Sequence, residues 1–515
     1  MEGARSLLYD RGAMCLLGVI AVAATGFVWL CTSRYGIGIT PDVLRYVSVA
    51  DGLIAGRGFV TFEGEVYCLW PPLHPIILAL VGMLVGSAEI AARITNAVCV
   101  GLLVLMVPMI VRECGGTRAI AVLGAMLIAL SYPVYLSATF GFSEPLFAVL
   151  FAGFLLVGLR FDVYPSRGGL CMMAALAALG SLQRYVGVCA IAVGMLLCIA
   201  ERGRQYRDRV RRACLFGIGT SVPLLAWFGR NTLVSGAPGG VRYEAQRGFV
   251  ENLAEFGGGL FALGVPRGQG SDSAKVVGTV FVGLIIALVC LKGFRSAVRA
   301  KREGGFLGAL RRYLPWPVIA YVMLYTAGLL CIASITKVDG VGGRHTVPVL
   351  VGVVILFCTG VSAVLRGSNV FLRGGMAIVI AWSVLDPSIS LANWYFTHSR
   401  GWGAGGYNTI PWRESELMGW IREESLCGNI YSNAGPAIYY LAGIGTRELP
   451  RAEWEIEEFR RKVEAQGRDY VILFYHLSER GGVSKRGIEM MKTVRAELGF
   501  GMIGQFADGE VYVRE

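Results

Sequence analysis

The chain has 515 residues, 55% hydrophobic and 16% charged, with a mean hydropathy of +0.57. Soluble globular proteins carry about 25% charged residues, so the composition excludes an ordinary soluble enzyme and sets the class as a polytopic α-helical membrane protein. The net charge of +12 does not mark a nucleic-acid binder, because the excess cations sit in short loops between apolar runs: six Arg and two acidic residues in Glu201–Arg212, seven Lys or Arg and one acidic residue in Lys292–Arg312.

Taken in order, Met1–Gly12 with Arg5 and Arg11 has the character of a signal-peptide n-region. The run after it, 14–32, exceeds the roughly 7–15 residues of a signal h-region, which predicts an uncleaved anchor. Further spanning runs are predicted near 91–112, 118–136, 143–160, 168–182, 185–200, 212–229, 275–292, 315–335, 346–365 and 374–392, about eleven spans in all. Basic loops at 201–212, 292–313 and 366–373 are expected to stay in the cytoplasm. Counting from them, Ser143–Pro145, Arg184–Tyr185, the 230–274 loop and Lys337–Arg344 face out, as does everything after about residue 393. The N-terminus then lies inside. The apolar run Ile76–Val85 is too short to cross, so Pro75–Gly86 is expected to lie in the outer interface beside an amphipathic helix over Val43–Ala55.

After Trp394 the composition becomes charged and globular. The expected organisation is a membrane domain over 1–400 and an extracytoplasmic α/β domain over 401–515. Within the latter, Glu414–Glu423, Glu453–Glu464 and Lys485–Glu497 read as helices, and Asn429–Ser432, Tyr470–Phe474 and Gly509–Val513 as strands. It holds neither GxGxxG nor GxxxxGK[ST], so nothing suggests a nucleotide. Most of the 13 Cys fall in apolar runs and act as small hydrophobes. A Cys68–Cys427 disulfide stands as an alternative.

The stretch from Thr40 to Pro75, TPDVLRYVSVADGLIAGRGFVTFEGEVYCLWPPLHP, is polar, acidic and aromatic, and follows the first long apolar run. Asp42 follows Pro41 and has two readings: a cap for the helix starting near Val43, or a catalytic carboxylate at a membrane surface. Tyr46, Ala50, Leu53 and Ile54 give that helix one apolar face. Gly56, Gly58 and a rigid Pro71-Pro72 turn follow. Glu144, in FSEPLF, reads as an acid meeting a helix dipole, a partner for Arg93, or a group that orients an acceptor or shares a divalent metal with Asp42. Glu63 and Glu65 are further acceptor or metal candidates. His74, His345 and His398 are too scattered for a zinc site. Asp386-Pro387 reads as a helix break.

The pattern acid–x3–Tyr–x3–Ala–x2–Leu–x2–Gly–x–Gly, followed by Pro-Pro-Leu-x-Pro, resembles the first external loop of GT-C class glycosyltransferases. The nearest members are the protein O-mannosyltransferase and lipid A aminoarabinose transferase superfamily. The resemblance spans about residues 14–400 and implies that Asp42 is the catalytic carboxylate. Arg93 in AARITNAV resembles the Arg opening the second spanning helix, and Glu144 the acid of the second external loop. Arg184-Tyr185 in QRYVG, Arg230 in WFGRN and Arg344 in GGRHTVP resemble basic positions at outer helix ends. The family commonly has Tyr at the position of His74, so His74 takes no family role, and it usually shows an aromatic after the Arg where this chain has Arg344-His345.

The resemblance implies an inverting transfer of a sugar from a polyprenyl-phosphate donor to a glycan, lipid or protein hydroxyl, outside the cytoplasmic membrane. Asp42 would take the hydroxyl proton. Arg184, Arg230 and Arg344 would stabilise the leaving phosphate, since guanidinium forks match its oxygens. Arg93, Tyr46 and Tyr185 would support the site. The resemblance fixes no cofactor, and a divalent metal is an open alternative. The rivals are a glycan ligase or oligosaccharyltransferase of the same fold, a membrane transporter, and a scaffold that recruits partners through its C-terminal domain.

Overall fold

A computed structural model describes residues 11–240, 242, 244–261, 315–338, 340–367, 370–424, 426–450, 456–464, 468–475 and 485–514. The chain opens with α1 (Arg11–Cys31), α2 (Pro41–Ile54), α3 (Leu73–Val85) and α4 (Ala88–Glu113). Then come α5 (Arg118–Ala129), α6 (Tyr132–Thr139), α7 (Glu144–Val163), α8 (Arg167–Gln183), α9 (Val188–Ile199), α10 (Tyr206–Ser235) and α11 (Phe249–Phe261). After the next described stretch begins follow α12 (Trp316–Ile335), α13 (Val347–Gly367) and α14 (Val370–Trp394). Among the described residues seven helices are long and apolar enough to cross a membrane, namely α1, α4, α7, α10, α12, α13 and α14. The expected span at 275–292 lies outside the described residues.

Three expectations change. The run 118–136 is not one straight helix: α5 and α6 meet at a 46° bend. Pro133 lacks an N–H to continue the helical ladder, and the Tyr135 hydroxyl donates to the Ala129 carbonyl freed at the break (2.7 Å). Conversely, α14 continues through Asp386-Pro387, so that pair is no break. The basic segment before residue 212 is also partly helical, because α10 begins at Tyr206. Arg212 and Arg204 there pair with the buried carboxylate of Glu201, at 2.7 and 2.6 Å.

Two compact units emerge. The first comprises Met1–Leu30, Cys68–Ile77 and Ala91–Phe396. In it α13, the most enclosed span, packs on α5, α7 and α12, while α9 packs on α8 and α10. The second comprises Cys31–Tyr67, Leu78–Ile90 and Thr397–Glu515. Residues 31–67 and 78–90 therefore cluster with the C-terminal residues.

In the second unit, α2 is amphipathic as expected and buries Val43, Leu44, Tyr46, Val47 and Ala50. The C-terminal part contains α15 (Glu416–Glu423), β1 (Asn429–Ser432), α16 (Gly435–Ala442), β2 (Arg447–Glu448), α17 (Ile456–Glu464), β3 (Asp469–Phe474), α18 (Lys485–Glu497), β4 (Gly501–Phe506) and β5 (Gly509–Arg514). The strands form one sheet in the order β2-β1-β3-β5-β4, with β1 parallel to β2 and β3, and β5 antiparallel to β3 and β4. The central β3 is buried along its whole length. Tyr470, Ile472 and Phe474 join the core that holds Trp412 and Leu417, while Val471 and Leu473 join the core that holds Phe459 and Tyr512. A two-residue period with both faces apolar is what a covered strand requires. Sequence reading missed α16, the two-residue β2 and the exposed β4. Cys68 and Cys427 are both free thiols, so the disulfide alternative does not hold.

Candidate active site

Glu144 opens α7 and is fully buried. A carboxylate there is tolerable only beside compensating charge. The charge comes from Arg184, where the chain leaves α8 in extended conformation. Its guanidinium lies 2.7 Å from Glu144 Oε1, donates to Ser143 Oγ (3.0 Å) and donates to His345 Nδ1 (3.0 Å). Arg344 Nε is 3.6 Å from the same Glu144 oxygen, and its guanidinium covers the Phe142 ring at 4.1 Å. His345 Nδ1 is 4.0 Å away. The Arg184–Glu144 approach is short but off the hydrogen-bond axis, so neither carboxylate oxygen has an aligned donor among the described residues.

Three sequence candidates are thus brought together, with two guanidiniums against one carboxylate. The expected Glu144–Arg93 pair does not form. Arg93 donates to the Trp29 carbonyl (2.8 Å) and stacks on the Trp29 ring at 3.5 Å. The charged groups nearest Glu144 are the two guanidiniums of Arg184 and Arg344. Among the described residues no three His, Cys, Asp or Glu gather as metal ligands.

A buried brace, to which sequence reading gave no role, holds the 141–144 turn. His74 Nε2 meets the Gly141 carbonyl (3.2 Å), and Gln183 Nε2 meets His74 Nδ1 (3.3 Å) and the Ser143 carbonyl (2.9 Å). A carbonyl only accepts and an amide nitrogen only donates, so His74 is the neutral tautomer protonated at Nε2. Burial agrees, holding this imidazole down at about 4. Asn96 adds bonds to the Ala138 and Phe142 carbonyls (3.3 and 3.0 Å). The one available signal was position: Gln183 precedes Arg184 in QRYVG, and His74 closes PPLHP. Gly187 of QRYVG lets the turn fold back on α8, since a Cβ there would lie 2.3 Å from the Gly180 carbonyl oxygen.

The depressed His74 value has a thermodynamic consequence. The unfolded imidazole takes a proton near 6.5 and the folded one near 4, so the stability it contributes is complete above pH 6.5 and lost as pH falls towards 4. Over that window the change is about 3 kcal/mol at about 1.4 kcal/mol per unit. His74→Gln keeps a donor and an acceptor but does not titrate. Its thermal unfolding midpoint in detergent should therefore fall less steeply than wild type between pH 6.5 and 4.5.

Tyr185 and Arg230 border this cluster in the first unit. Trp227 Nε1 donates to the Tyr185 hydroxyl (3.2 Å). Arg230 lies over the Trp227 ring at 4.8 Å and donates to Asn231 Oδ1 (3.0 Å). Asn231 in turn donates to the Cys68 carbonyl (3.1 Å). Arg242, absent from the sequence candidates, donates to the Leu69 carbonyl (2.8 Å) and lies 5.7 Å from the Tyr185 ring centre.

Asp42, Tyr46 and Glu65 belong to the second unit. Asp42 is in the first turn of α2, half-buried, but it is not the cap. Thr40 is, its hydroxyl accepting from the Val43 N–H at 3.4 Å, with Pro41 at the first helical position where a missing N–H costs nothing. Tyr46, one turn on, is buried. Glu63 is engaged by Arg45 through two bonds, at 2.8 and 3.2 Å. Glu65 is exposed beside the Gly64 turn.

The family model described as Dolichyl-phosphate-mannose-protein mannosyltransferase matches residues 70–227. That stretch holds His74, Arg93, Glu144, Arg184 and Tyr185, and stops short of Asp42 on one side and Arg230 and Arg344 on the other. Among solved structures, ArnT from Cupriavidus metallidurans in the apo state aligns at TM-score 0.61 and 13% identity, covering 96% of this chain and 97% of that one. The fold is that of the GT-C membrane glycosyltransferases. ArnT from the same organism bound to undecaprenyl phosphate aligns at 0.58 and 15% identity over 98% of each chain. The arabinofuranosyltransferase AftD from Mycobacteria aligns at 0.55 and 16% identity, with 96% of this chain on 39% of AftD. No curated protein matches the sequence. In this GT-C fold the buried Glu144–Arg184–Arg344 cluster lies at helix ends rather than mid-span, the placement expected from the charge pattern of the loops.

Proposed function

We propose that the protein is an inverting glycosyltransferase that moves a sugar from a polyprenyl-phosphate-linked donor to an acceptor hydroxyl at the outer face of the cytoplasmic membrane. The N-terminus is then cytoplasmic and the C-terminal domain extracytoplasmic, following the basic loops. The observation that carries the reading is the buried cluster of two guanidiniums on one carboxylate, set in a fold whose ArnT example is described bound to undecaprenyl phosphate. In the reaction the acceptor oxygen bonds to the anomeric carbon as its proton passes to the Asp42 carboxylate. The anomeric carbon–oxygen bond breaks, and its electron pair leaves with the polyprenyl phosphate. The phosphate gains negative charge in that step, so preset guanidiniums stabilise the transition state more than the ground state. Arg184 and Arg344 serve this role, with Arg230 as a further phosphate ligand. Glu144 holds the two arginines apart and offers its oxygens to the acceptor hydroxyl.

The test is purified protein in vesicles, given a polyprenyl-phosphate donor labelled in the sugar and a mixture of envelope acceptors. Label joined to an acceptor, with polyprenyl phosphate released, is the expected result. Label that crosses the bilayer with its lipid bond intact identifies a transporter and overturns the proposal.

A further inference from the structure

Within the second unit, the nine residues between α1 and α2 hold an internal turn, in which the Gly36 N–H donates to the Thr32 carbonyl (3.2 Å). They are paired with residues 399–413, more than 360 positions away. Ile39 forms a parallel bridge with Gly406: its N–H donates to the Gly405 carbonyl (3.3 Å), and the Tyr407 N–H donates to the Ile39 carbonyl (2.7 Å). Asn408, fully buried, donates to the Ile37 carbonyl (2.9 Å) and also to the Tyr35 carbonyl. Its own side-chain oxygen accepts from Arg413 Nε (3.0 Å), and the Arg413 guanidinium lies 4.8 Å from the Tyr35 ring centre. Earlier in the segment Arg34 donates to the Arg400 carbonyl (2.9 Å) and Ser399 Oγ to the Cys31 carbonyl (2.6 Å). The approach is so close that a Cβ on Gly406, whose φ is +63°, would lie 1.9 Å from the Ile39 carbonyl oxygen.

This pairing ends one residue before Thr40, the cap of α2, and three before Asp42. Extended backbone in a loop otherwise leaves its amides to water and its direction undefined. Here Tyr35, Ile37 and Ile39 are tied to residues 405–408. In the same unit, Phe62 packs on Tyr439 of α16 at 5.0 Å, and Tyr440 donates to Glu89 at 3.2 Å.

We infer that residues 399–413 are a positioning clamp: Asn408, backed by Arg413 and by the Gly406 bridge, fixes where α2 begins and so aims the Asp42 carboxylate, which makes the C-terminal segment necessary for turnover without touching substrate. The inference rests on the reading of Asp42 as the base. A general base works only when held within hydrogen-bond reach of its proton, and a misplacement of about 1 Å costs on the order of a hundredfold in rate.

The test uses the full-length protein with Asn408→Ala, Asp42→Asn and the double variant. In Asn408→Ala, amide hydrogen exchange of residues 37–46 should quicken by at least about tenfold, with α7 and α13 unchanged. Turnover should fall by about 10- to 100-fold, with the donor KM held within about twofold. In the Asp42→Asn background, Asn408→Ala should cost less than about twofold more, because a clamp that acts through Asp42 has nothing left to aim. Lys462→Gln, on the exposed face of α17, is the control and should leave all three readings at wild-type values. Should Asn408→Ala not fold, Arg413→Met, which removes the donors to the Asn408 side-chain oxygen, gives the same pattern at smaller amplitude. Unchanged exchange at 37–46, or an Asn408→Ala loss of equal size with and without Asp42, overturns the clamp. Full activity of Asp42→Asn alone overturns the base assignment instead, so the two failures are separately visible.

Discussion

Asp42→Asn is expected to lower turnover by about 10²–10⁴-fold, the usual contribution of a positioned general base. Asn is nearly isosteric and keeps a polar side chain at the α2 N-terminus. The Thr40 cap and the Pro41 start of the helix do not depend on the Asp42 charge, so folding should survive. Loss of the favourable interaction between the carboxylate and the helix dipole costs only about 0.3–1 kcal/mol. The donor KM should change little, because the proton taken by the base moves only as the new bond forms. Single-turnover rates on donor-loaded protein check this. Undiminished rates would leave the arginine cluster without a base at this position, and would favour transport or scaffolding, both of which tolerate the substitution.

The second large effect is expected at Glu144. Glu144→Gln keeps the shape but removes a buried carboxylate set against Arg184 and Arg344. Breaking a buried ion pair from one side costs about 3–5 kcal/mol, since the remaining charge stays desolvated and uncompensated. The thermal midpoint in detergent should therefore drop by several degrees. The same change removes one negative charge from the cluster, so a polyprenyl phosphate added in excess should restore more stability to Glu144→Gln than to wild type, through ordinary binding linkage. Equal ligand-induced shifts in the two proteins would remove Arg184 and Arg344 from the phosphate site.

Much of the architecture was legible in the chain itself, because hydrophobic period and charge are local signals. The apolar runs mark the spans. The spacing Tyr46, Ala50, Leu53, Ile54 marks α2. Asn429–Ser432 is predicted with the bounds that β1 shows, and Lys485–Glu497 with those of α18. Counting basic loops was enough to put Glu144, Arg184 and Arg344 at one set of helix ends, and they meet in the fold. Periodicity failed where a proline or a partner overrides it, as at the α5–α6 bend and at α14, which runs straight through Asp386-Pro387. What only the tertiary structure decided are pairings between residues distant in sequence. Glu144 shares one oxygen with two arginines, His74 is held neutral by a carbonyl and an amide, and Asn408 reaches back 371 positions to Ile37. A linear pattern carries the type of each group but not its neighbour, and whether a buried polar side chain is a liability or a fastening depends on the neighbour that satisfies it.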